Sequence, residues 1–374
     1  MKKIAFIINV FRDCNFRSGG EKLFYELLTR VLNDGYSVDL FCTTYLGRKY
    51  LENNINVYYI GKPKDYKHAC KVEKIYAQIK KHIENNNYNF VVSENITPPV
   101  DIAVLQGHSL IHYCKMAGNP FSKMLFFLKK LKNIQHQKKW FKQGYRRIFV
   151  PSETLKYEII RNFNIDESKF SVIYPGVDIP KDNFIKDYND LIKKKRKIIF
   201  GLSAPSFGKK GGYIFLKALK ILKSKNYKFK ARIIYPKANK NVSLHLLIRL
   251  YGLKDDIEFL PYQDNIQEFY KSIDCLIMPS LLETFGLVTL ESMSYKTAVI
   301  VSSCSGASEI INEAENGFIF DINKNPEKNL AEKMLYIIKD VEKLPYLSEN
   351  AFNTVLKFSW ENTYKVFIKT LKEL

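Results

Sequence analysis

Two glutamates separated by seven residues, Glu283 and Glu291, lie in the stretch of this sequence that is best suited to chemistry. An apolar, strand-like run precedes the stretch and a helical pattern follows it, so we expect Glu283 in the strand-to-helix turn and Glu291 inside the helix. Gly286 would let the backbone approach a ligand closely. The unpaired amides and the positive end of the helix dipole favour a diphosphate there. The pattern therefore predicts an anion site flanked by two carboxylates.

The two carboxylates are expected to hold different groups. Carboxylate oxygens accept hydrogen bonds from sugar hydroxyls, so we expect Glu291 to hold a ribose diol and Glu283 to hold a second sugar, one on each side of a pyrophosphate. A nucleotide-sugar has this chemistry. The residues expected to line the rest of the site are Thr284, Phe285, Gly286, Leu287 and Val288. The alternative is an ordinary helix whose glutamates are solvated.

Motifs of several other enzyme classes are missing from the sequence. It contains neither GxGxxG after the first strand nor GxxxxGKS/T, which argues against dinucleotide oxidoreductases and P-loop NTPases. HExxH and GxSxG are absent as well. No Asp-x-Asp pair is present to hold a divalent metal on a diphosphate. We therefore expect no cofactor and no metal, with amides, lysines and helix ends neutralising the anion.

Positive charge dominates the chain of 374 residues, with 59 Lys and Arg against 38 Asp and Glu and a net charge of +21. Between residues 102 and 152 no acidic residue occurs, and basic side chains alternate with aromatic ones. This mixture is typical of a surface that binds anionic lipid headgroups and inserts apolar side chains. The predicted membrane surface comprises Lys123, Lys129, Lys130, Lys138, Lys139, Trp140 and Lys142. The alternative is a helix pair packed on its own domain, and nucleic acid is not expected as a partner.

The apolar runs and the cysteines also restrict the type of protein. No run approaches the roughly 18 apolar residues of a membrane-spanning helix. A signal peptide is not expected either, because Asn9 and Arg12 interrupt the first apolar run. The six cysteines form no CxxC pair and no cysteine–histidine cluster, which predicts a reducing cytoplasm and no structural zinc.

Short β-rich runs alternate with helical stretches in both halves of the chain, which predicts two doubly wound α/β domains with parallel sheets. In the first half we expect strands at 4–10, 37–44, 56–60, 90–93, 102–105, 147–150 and 171–174. In the second half we expect them at 198–202, 232–235, 258–260, 275–278, 298–302 and 318–321. Ligands of such folds bind at the carboxyl ends of the strands, and Glu283 follows one of these ends.

The stretch at 279–293 resembles the Glu-x7-Glu motif of the family 4 retaining glycosyltransferases of the GT-B fold. Further similar segments are SGGE at 18–21, VPSE at 150–153, VIYPGVD at 172–178, FLPY at 259–262 and FSWE at 358–361. The resemblance covers nearly the whole chain. It implies two Rossmann-like domains that face each other across a cleft, with acceptor binding at 1–180, nucleotide-sugar binding at 181–354 and a helix at 355–374 that crosses back to the first domain.

The resemblance also implies roles for residues outside the Glu-x7-Glu motif. Lys210 would pair with the donor phosphates, and Lys209 stands where relatives often have Arg. Gly19 and Gly20 would let the backbone face the donor or the acceptor. His108 would lie near the donor sugar and phosphate, where an imidazole can donate a hydrogen bond to developing negative charge. The implied catalytic residues are Glu283, His108 and Lys210.

Within the family, the sequence is most similar to enzymes that add glucose to a heptose of the lipopolysaccharide core. This resemblance implies a retaining hexosyltransferase that uses UDP-glucose and a lipid-linked saccharide, as a peripheral, cytoplasmic protein on the inner face of the cytoplasmic membrane. Gly107 stands where such enzymes have Asp, so the acceptor chemistry is expected to differ. UDP-N-acetylglucosamine, UDP-galactose and GDP-mannose stay open as donors. A GT-B epimerase or phosphorylase and a basic nucleic-acid-binding module are the alternatives from other classes.

Overall fold

The structure is a computed structural model that describes residues 2–14, 16, 18–67, 69–95, 97–98, 100–116, 120–142, 144–181, 184–263 and 265–374. The chain divides into two compact units, each built around one parallel β-sheet. The first unit comprises Met1–Pro175 together with Trp360–Leu374, and the second comprises Gly176–Ser359. The second unit holds the whole Glu283–Glu291 stretch.

The first unit contains a seven-stranded sheet in the order β3-β2-β1-β4-β5-β6-β7. Its strands are β1 (Lys3–Arg12), β2 (Ser37–Leu46), β3 (Asn56–Tyr59), β4 (Phe90–Glu94), β5 (Ile102–Val104), β6 (Arg147–Val150) and β7 (Phe170–Val172). Its first six helices are α1 (Gly19–Asn33), α2 (Lys49–Glu52), α3 (Ala69–Glu84), α4 (Leu110–Met116), α5 (Pro120–Lys142) and α6 (Glu153–Phe163). Central strands such as β5 are buried on both faces, as is usual for a parallel sheet covered by helices.

The second unit contains a six-stranded sheet in the order β10-β9-β8-β11-β12-β13. Its strands are β8 (Ile198–Ser203), β9 (Phe229–Ile234), β10 (Ile257–Leu260), β11 (Cys275–Met278), β12 (Ala298–Ser302) and β13 (Phe318–Phe320). Its helices are α7 (Asn189–Ile192), α8 (Gly212–Ser224), α9 (Val242–Leu250), α10 (Ile266–Ser272), α11 (Leu287–Ser294), α12 (Pro326–Lys339) and α13 (Leu344–Val355). The strands β11 and β12 are buried over their full length, which explains their continuous apolar sequences.

The predicted fold class is confirmed, because both units are α/β with purely parallel sheets. Each of the thirteen predicted strands overlaps a strand of the structure. The boundaries differ by a few residues, and the largest shift is at β9, which begins at Phe229 rather than Arg232. At the start of β9, Phe229 and Ala231 are buried and Lys230 between them is exposed. Alternate side chains therefore face the core from Phe229 onward.

The strand order reverses once in each sheet, between β1 and β4 in the first and between β8 and β11 in the second. At such a reversal the two following connections leave toward opposite faces of the sheet, and a crevice opens outside the carboxyl ends of the strands. In the second unit the loops that follow β8 and β11 carry Lys210 and Glu283, respectively. The topology alone therefore brings these two side chains to one edge of the sheet.

The last helix, α14 (Trp360–Lys372), packs on the first unit although it follows the second unit in sequence. Its Tyr364 hydroxyl donates a hydrogen bond to Asp34 at 2.6 Å, and the Lys22 ammonium lies 5.4 Å from the centre of the Trp360 ring. Thr363 also donates to the carbonyl of Tyr174 at 2.9 Å. In addition to these polar contacts, α14 buries an apolar face that includes Phe367, which is fully buried.

Candidate functional site

The loop between β11 and α11 has a conformation that its glycine makes possible. Gly286 is the N-cap of α11 and has a φ of +100°, a region that L-residues with a Cβ avoid. A Cβ at this position would also lie 2.6 Å from the sulfur of Met278. The turn therefore requires glycine for two independent reasons, and it starts the helix at Leu287 as the sequence predicts.

The first turn of α11 presents its backbone amides at this edge of the sheet. The N–H groups of Leu287 and Val288 have no partner within the helix, since the first amides of any helix lack one. Two hydrogen bonds hold the preceding loop in place. The carbonyl of Phe285 accepts them from the Ser305 hydroxyl at 2.6 Å and from the amide of Ala307 at 2.8 Å. A rigid loop and a helix N-terminus together offer pre-oriented donors of the kind that an anion requires.

Lys210 and Glu283 form an ion pair and a hydrogen bond between their side chains. The loops that carry them are joined by the backbone as well, since the amide of Leu281 donates to the carbonyl of Lys209 at 3.1 Å. Gly211, at a φ of +71°, lies so close to the other loop that a Cβ would be 1.8 Å from the carbonyl oxygen of Pro279. The two loops are thus interlocked, and they hold a cation and a carboxylate beside the first turn of α11.

Glu291 lies in the second turn of α11 and is oriented by a tyrosine. The hydroxyl of Tyr270 donates to the carboxylate of Glu291 at 2.7 Å. Tyr270 is fully buried, and burial together with the nearby Glu291 charge raises the pKa of its phenol well above the ordinary value. The phenol therefore stays a proton donor at all physiological pH values. No local pattern in the sequence marks Tyr270, which stands 21 residues before its partner.

His108 lies in the first unit, buried in a hydrogen-bond network that its sequence neighbours do not reveal. Its Nδ1 is 2.5 Å from the carboxylate of Glu158 on α6. The other oxygen of Glu158 accepts hydrogen bonds from the Ser109 hydroxyl at 2.6 Å and from Asn162 at 3.3 Å. Although burial alone would raise it, the hydrogen bonds from His108 and Ser109 lower the pKa of Glu158. Within the described ranges, Nε2 of His108 is buried and has no hydrogen-bond partner.

The surroundings of His108 also include the one cluster in the described residues that could hold a metal. The ring of His112 stacks on His108 with ring centres 5.0 Å apart, and ligand atoms of His108, His112 and Glu158 lie within 4.8 Å of one another. Glu158 therefore supplies a third potential ligand that the sequence analysis did not identify. Both of its carboxylate oxygens already accept hydrogen bonds from the protein. The expectation of a metal-free protein stays a prediction.

Gly19 and Gly20 are the first two residues of α1, in the first unit. The helix starts at Ser18, whose hydroxyl accepts a hydrogen bond from the amide of Glu21 at 3.2 Å. A Cβ on Gly20 would lie 3.0 Å from the side chain of Gln106, so the helix approaches the loop after β5 closely. The two glycines therefore lie in the first turn of a capped helix, and their role toward the donor or the acceptor stays a prediction.

Helix α5 carries the predicted membrane surface, and its two halves differ. Large apolar side chains are exposed in the first half, namely Phe121, Met124, Leu125, Phe127 and Leu128. The lysines at 123, 129, 138 and 142 are exposed as well. No helix in the described ranges combines the length and apolarity that a membrane crossing needs.

The structure corrects part of the predicted membrane surface. Trp140 is 4% exposed and belongs to the core of the first unit, where its indole N–H donates to Glu73 at 3.2 Å. Its ring therefore cannot insert into a headgroup layer without unpacking that core. Lys139 pairs with the same carboxylate at 3.2 Å, and Lys130 lines a cavity. The first half of α5 is thus the better candidate for a membrane contact.

Two family models match the chain in succession. The model described as Glycosyltransferase Family 4 matches residues 17–181, and the model described as Glycosyl transferases group 1 matches residues 184–354. An uncharacterized glycosyltransferase of Methanocaldococcus jannaschii is 30% identical over 60% of this chain and 60% of its own length. The O-antigen chain mannosyltransferase RfbU of Salmonella typhimurium is 27% identical over 58% of this chain. The chain spans about 60% of the length of these relatives.

Solved structures resemble the chain over its whole length. WaaG, a glycosyltransferase involved in lipopolysaccharide biosynthesis, has a TM-score of 0.75 at 16% identity and covers 99% of this chain and 98% of its own. HepE of Anabaena, solved in complex with UDP, has a TM-score of 0.72 at 17% identity and covers both chains fully. At these identities the likeness concerns the fold. Because the two family models together match nearly the entire sequence, the chain belongs to the glycosyltransferases of the GT-B fold.

Proposed function

We propose that this protein is a retaining glycosyltransferase that transfers a hexose, with glucose from UDP-glucose as the first candidate, to a lipid-linked saccharide such as the lipopolysaccharide core. The observation that carries the proposal is the pair of interlocked loops after β8 and β11. They hold Lys210, Glu283 and the first turn of α11 together. A cation, a carboxylate and free amides side by side match a sugar diphosphate.

In this proposal the donor is held at three points in the second unit. The diphosphate accepts hydrogen bonds from the amides of Leu287 and Val288 and from Lys210, whose pairing with Glu283 keeps it at the site. The ribose hydroxyls donate to Glu291, which Tyr270 orients. The hydroxyls of the transferred hexose donate to Glu283. This arrangement neutralises the diphosphate without a metal ion.

The proposed reaction exchanges one bond at the anomeric carbon for another. The bond between this carbon and the diphosphate oxygen breaks, and the acceptor oxygen attacks from the same face, so the configuration is retained. The leaving diphosphate takes the acceptor proton. Lys210 and the helix amides stabilise the charge that develops on the leaving group. His108 is proposed to donate a hydrogen bond to the reacting groups through Nε2, in the form of the ring that carries a proton on both nitrogens, because its Nδ1 already faces the Glu158 carboxylate. Nε2 has no partner within the described ranges.

The choice of UDP-glucose rests on resemblance. HepE was solved in complex with UDP, whereas RfbU is named a mannosyltransferase. The same Glu-x7-Glu site accommodates several hexoses, so transfer of mannose from GDP-mannose is the second candidate function, together with the other UDP-hexoses.

The proposed location is the inner face of the cytoplasmic membrane, where lipid-linked acceptors reside. The exposed apolar side chains and lysines on the first half of α5 support a peripheral contact, because each Lys near an anionic surface contributes about 1 kcal/mol. Lipid-anchored acceptors would then diffuse to the enzyme within the membrane plane.

A transfer assay tests the proposed function. The purified protein is incubated with UDP-glucose labelled in the hexose, together with lipopolysaccharide from strains truncated at successive core residues, and the lipid fraction is analysed for label. We expect label on one truncated core and an α-linkage by proton NMR of the product. GDP-mannose and the other UDP-hexoses are tested in parallel. Transfer with inversion, or label in neither lipid nor saccharide with any donor, would contradict the proposal.

A further inference from the structure

Helix α9 of the second unit is apolar on two opposite faces. Its inner face packs on the core of the unit, where Leu244 and Ile248 are buried. On its outer face Val242, Leu246 and Leu250 are 79%, 58% and 73% exposed, respectively. A helix that is apolar around most of its circumference is usually buried, so the outer face of α9 is expected to be covered by a partner.

The three exposed side chains form one stripe, the α9 stripe, because residues four positions apart lie along the same side of a helix. Contacts at the start of the helix fix its orientation. The side-chain oxygen of Asn241 accepts a hydrogen bond from the amide of Leu244 at 3.1 Å. Nε2 of His245 lies 3.1 Å from the carbonyl oxygen of Ala238, in the turn before the helix. The stripe therefore cannot turn inward without breaking these contacts.

Exposed cations accompany the α9 stripe. Arg249 stands seven residues after Val242 and three after Leu246, which places it on the same face of the helix. Lys237 and Lys240 belong to the turn that leads into α9, and all three cations are exposed. In the part of the chain that the structure describes, none of the three forms an ion pair. Their charge is therefore available to an anionic partner.

The sequence around the helix contains no negative charge to offset these cations. Residues 191–254 include neither Asp nor Glu. The nearest acidic residues along the chain, Asp255 and Asp256, follow the end of the helix, and Asp256 already pairs with Lys223 at 2.6 Å. Helix α9 thus presents positive charge and apolar side chains together.

This combination is complementary to an anionic bilayer. Aliphatic side chains insert among lipid headgroups while neighbouring cations bind the phosphates. Nucleic acid would bind the cations but leave the stripe in water, because bases stack on aromatic rings and not on aliphatic side chains. A second copy of the chain, packed stripe against stripe, would bring two sets of the same cations together, and like charges repel.

We propose that α9 docks the second unit on an anionic bilayer, with the α9 stripe inserted among the headgroups. Arg249, Lys237 and Lys240 bind the lipid phosphates. The inference rests on the proposed function, which needs the donor-binding unit near a lipid-linked acceptor. It is separate from the contact assigned to α5, because α5 belongs to the first unit and α9 to the second.

Cosedimentation of the full chain with vesicles tests the docking helix. The vesicles consist of phosphatidylglycerol mixed with phosphatidylcholine, or of phosphatidylcholine alone. In the double variant Leu246→Ser with Leu250→Ser, we expect the affinity for the anionic vesicles to fall about tenfold, because two inserted side chains are lost. The matched control is Tyr346→Ser with Leu356→Ser, which removes two exposed apolar side chains elsewhere on the same unit. We expect it to bind within about twofold of wild type.

Tryptophan fluorescence tests directly whether the stripe inserts. In Leu246→Trp we expect the added emission, relative to wild type, to shift to the blue on anionic vesicles and to be quenched by brominated lipid. Tyr346→Trp is the control, since residues 246 and 346 are both 58% exposed. Its emission should stay unchanged. If the emission of Leu246→Trp is not quenched, or if the double serine variant binds vesicles as wild type does, the assignment of α9 is wrong.

Two further measurements identify a different occupant. If a single-stranded oligonucleotide shields Leu246→Trp from iodide and vesicles do not, the surface binds nucleic acid and the inference fails. If wild type sediments as a dimer and the double serine variant as a monomer, the stripe joins two copies of the chain and the inference likewise fails.

Affinity for UDP, measured on the same samples, separates this inference from the proposed function. We expect the serine and tryptophan variants to bind UDP as wild type does, because none of the substitutions lies in the donor site. Normal UDP binding with no effect of α9 on vesicle binding would overturn the docking helix alone. Vesicle binding through α9 without binding of any nucleotide would instead contradict the proposed function.

Discussion

The side chains of Lys210 and Glu283 pair with each other across two loops that follow neighbouring strands of the second sheet. The lysine is 30% exposed and the glutamate 16%, so the pair is accessible at the carboxyl edge of the sheet. Each member is assigned to a different part of the same donor, the lysine to the phosphates and the glutamate to the hexose. The pairing keeps both groups within reach of one bound molecule.

The first prediction concerns Glu283→Gln. The amide still fills the space and still accepts one hydrogen bond, but it loses the charge that holds the hexose hydroxyls. We expect kcat for transfer to fall about 100-fold, with the affinity for UDP changed by less than about threefold. Titration calorimetry with UDP and initial rates with the UDP-hexose check the two quantities separately. Unaltered turnover would show that Glu283 does not hold the hexose.

The second prediction concerns the tyrosine that orients Glu291. Tyr270→Phe deletes the hydroxyl that donates to Glu291 at 2.7 Å and leaves the ring in place. We expect UDP to bind about 5- to 10-fold more weakly, because the carboxylate loses an orienting hydrogen bond that is worth about 1 kcal/mol. Tyr346→Phe is the matched control, since Tyr346 is 58% exposed. If both variants bind UDP equally well, Tyr270 has only a packing role.

The third prediction concerns Glu158 as the positioning residue of His108. Glu158→Gln retains the shape of the side chain but removes the charge that faces Nδ1. We expect kcat to fall about 10- to 100-fold with little change in KM for the donor, and the ¹⁵N shifts of the His108 ring to report an altered tautomer. Glu153→Gln on the same helix is the control.

Chelation provides an independent check of the same cluster. The prediction of a metal-free protein means that EDTA leaves the transfer rate unchanged and that metal analysis finds no stoichiometric ion. If EDTA abolishes activity and zinc restores it, the prediction is wrong, and His108, His112 and Glu158 are the candidate metal ligands.

The fourth prediction concerns the membrane contact of α5. Replacing Lys123, Lys129, Lys138 and Lys142 by Glu should release the protein from anionic vesicles, since about 1 kcal/mol per lysine is lost near the surface. The matched control replaces Lys193, Lys194, Lys195 and Lys197 by Glu, which changes the net charge of the protein equally on the second unit. Cosedimentation with vesicles of phosphatidylglycerol measures the bound fraction. Equal release by both quadruple variants would mean that net charge, and not α5, governs binding.

The fifth prediction follows from the raised pKa of Glu94, which is about 7 in the folded protein against an ordinary value of 4.5. The folded state holds this proton more tightly than the unfolded state does. The resulting penalty is absent below about pH 4.5, grows between pH 4.5 and 7, and is complete above pH 7. Glu94→Gln should therefore stabilise the protein by about 1–2 kcal/mol at pH 8 and hardly at pH 4.5, after allowance for partial exposure.

Denaturant unfolding at the two pH values checks this prediction. Glu84→Gln, the exposed control on α3, should have the same stability as wild type at both. A Glu94→Gln variant whose stabilisation does not depend on pH would show that Glu94 ionises normally.

Local sequence patterns were sufficient for the fold and for one part of the site. The run from β11 through Gly286 to α11 is contiguous, so the apolar strand, the glycine and the helix could be read in order. Lys210 was identified by resemblance, and its contact with Glu283 joins residues 73 positions apart. Sequence periodicity gives the elements but not which distant loops meet.

The residues that the sequence analysis missed or misplaced depend on tertiary packing. Glu158 reaches His108 from a helix 50 residues away, and no local pattern marks it. Trp140 was grouped with the lysines around it, yet it faces the core because α5 packs on α3 through Glu73. Which side of a basic, aromatic helix is buried follows from its neighbours and not from its own composition.

The most direct test of the central assignment is the thermal stability of wild type and of Glu291→Ala with UDP, GDP, ADP and CMP at equal millimolar concentration. A ligand that binds only the native state stabilises it by about 2.7 kcal/mol at a hundredfold excess over Kd. We predict that UDP alone raises the Tm of wild type and that Glu291→Ala loses most of this shift. A selective shift of Tm with GDP would indicate that the donor is GDP-mannose. No shift with any nucleotide, or an equal shift in Glu291→Ala, would contradict the donor site between Glu283 and Glu291.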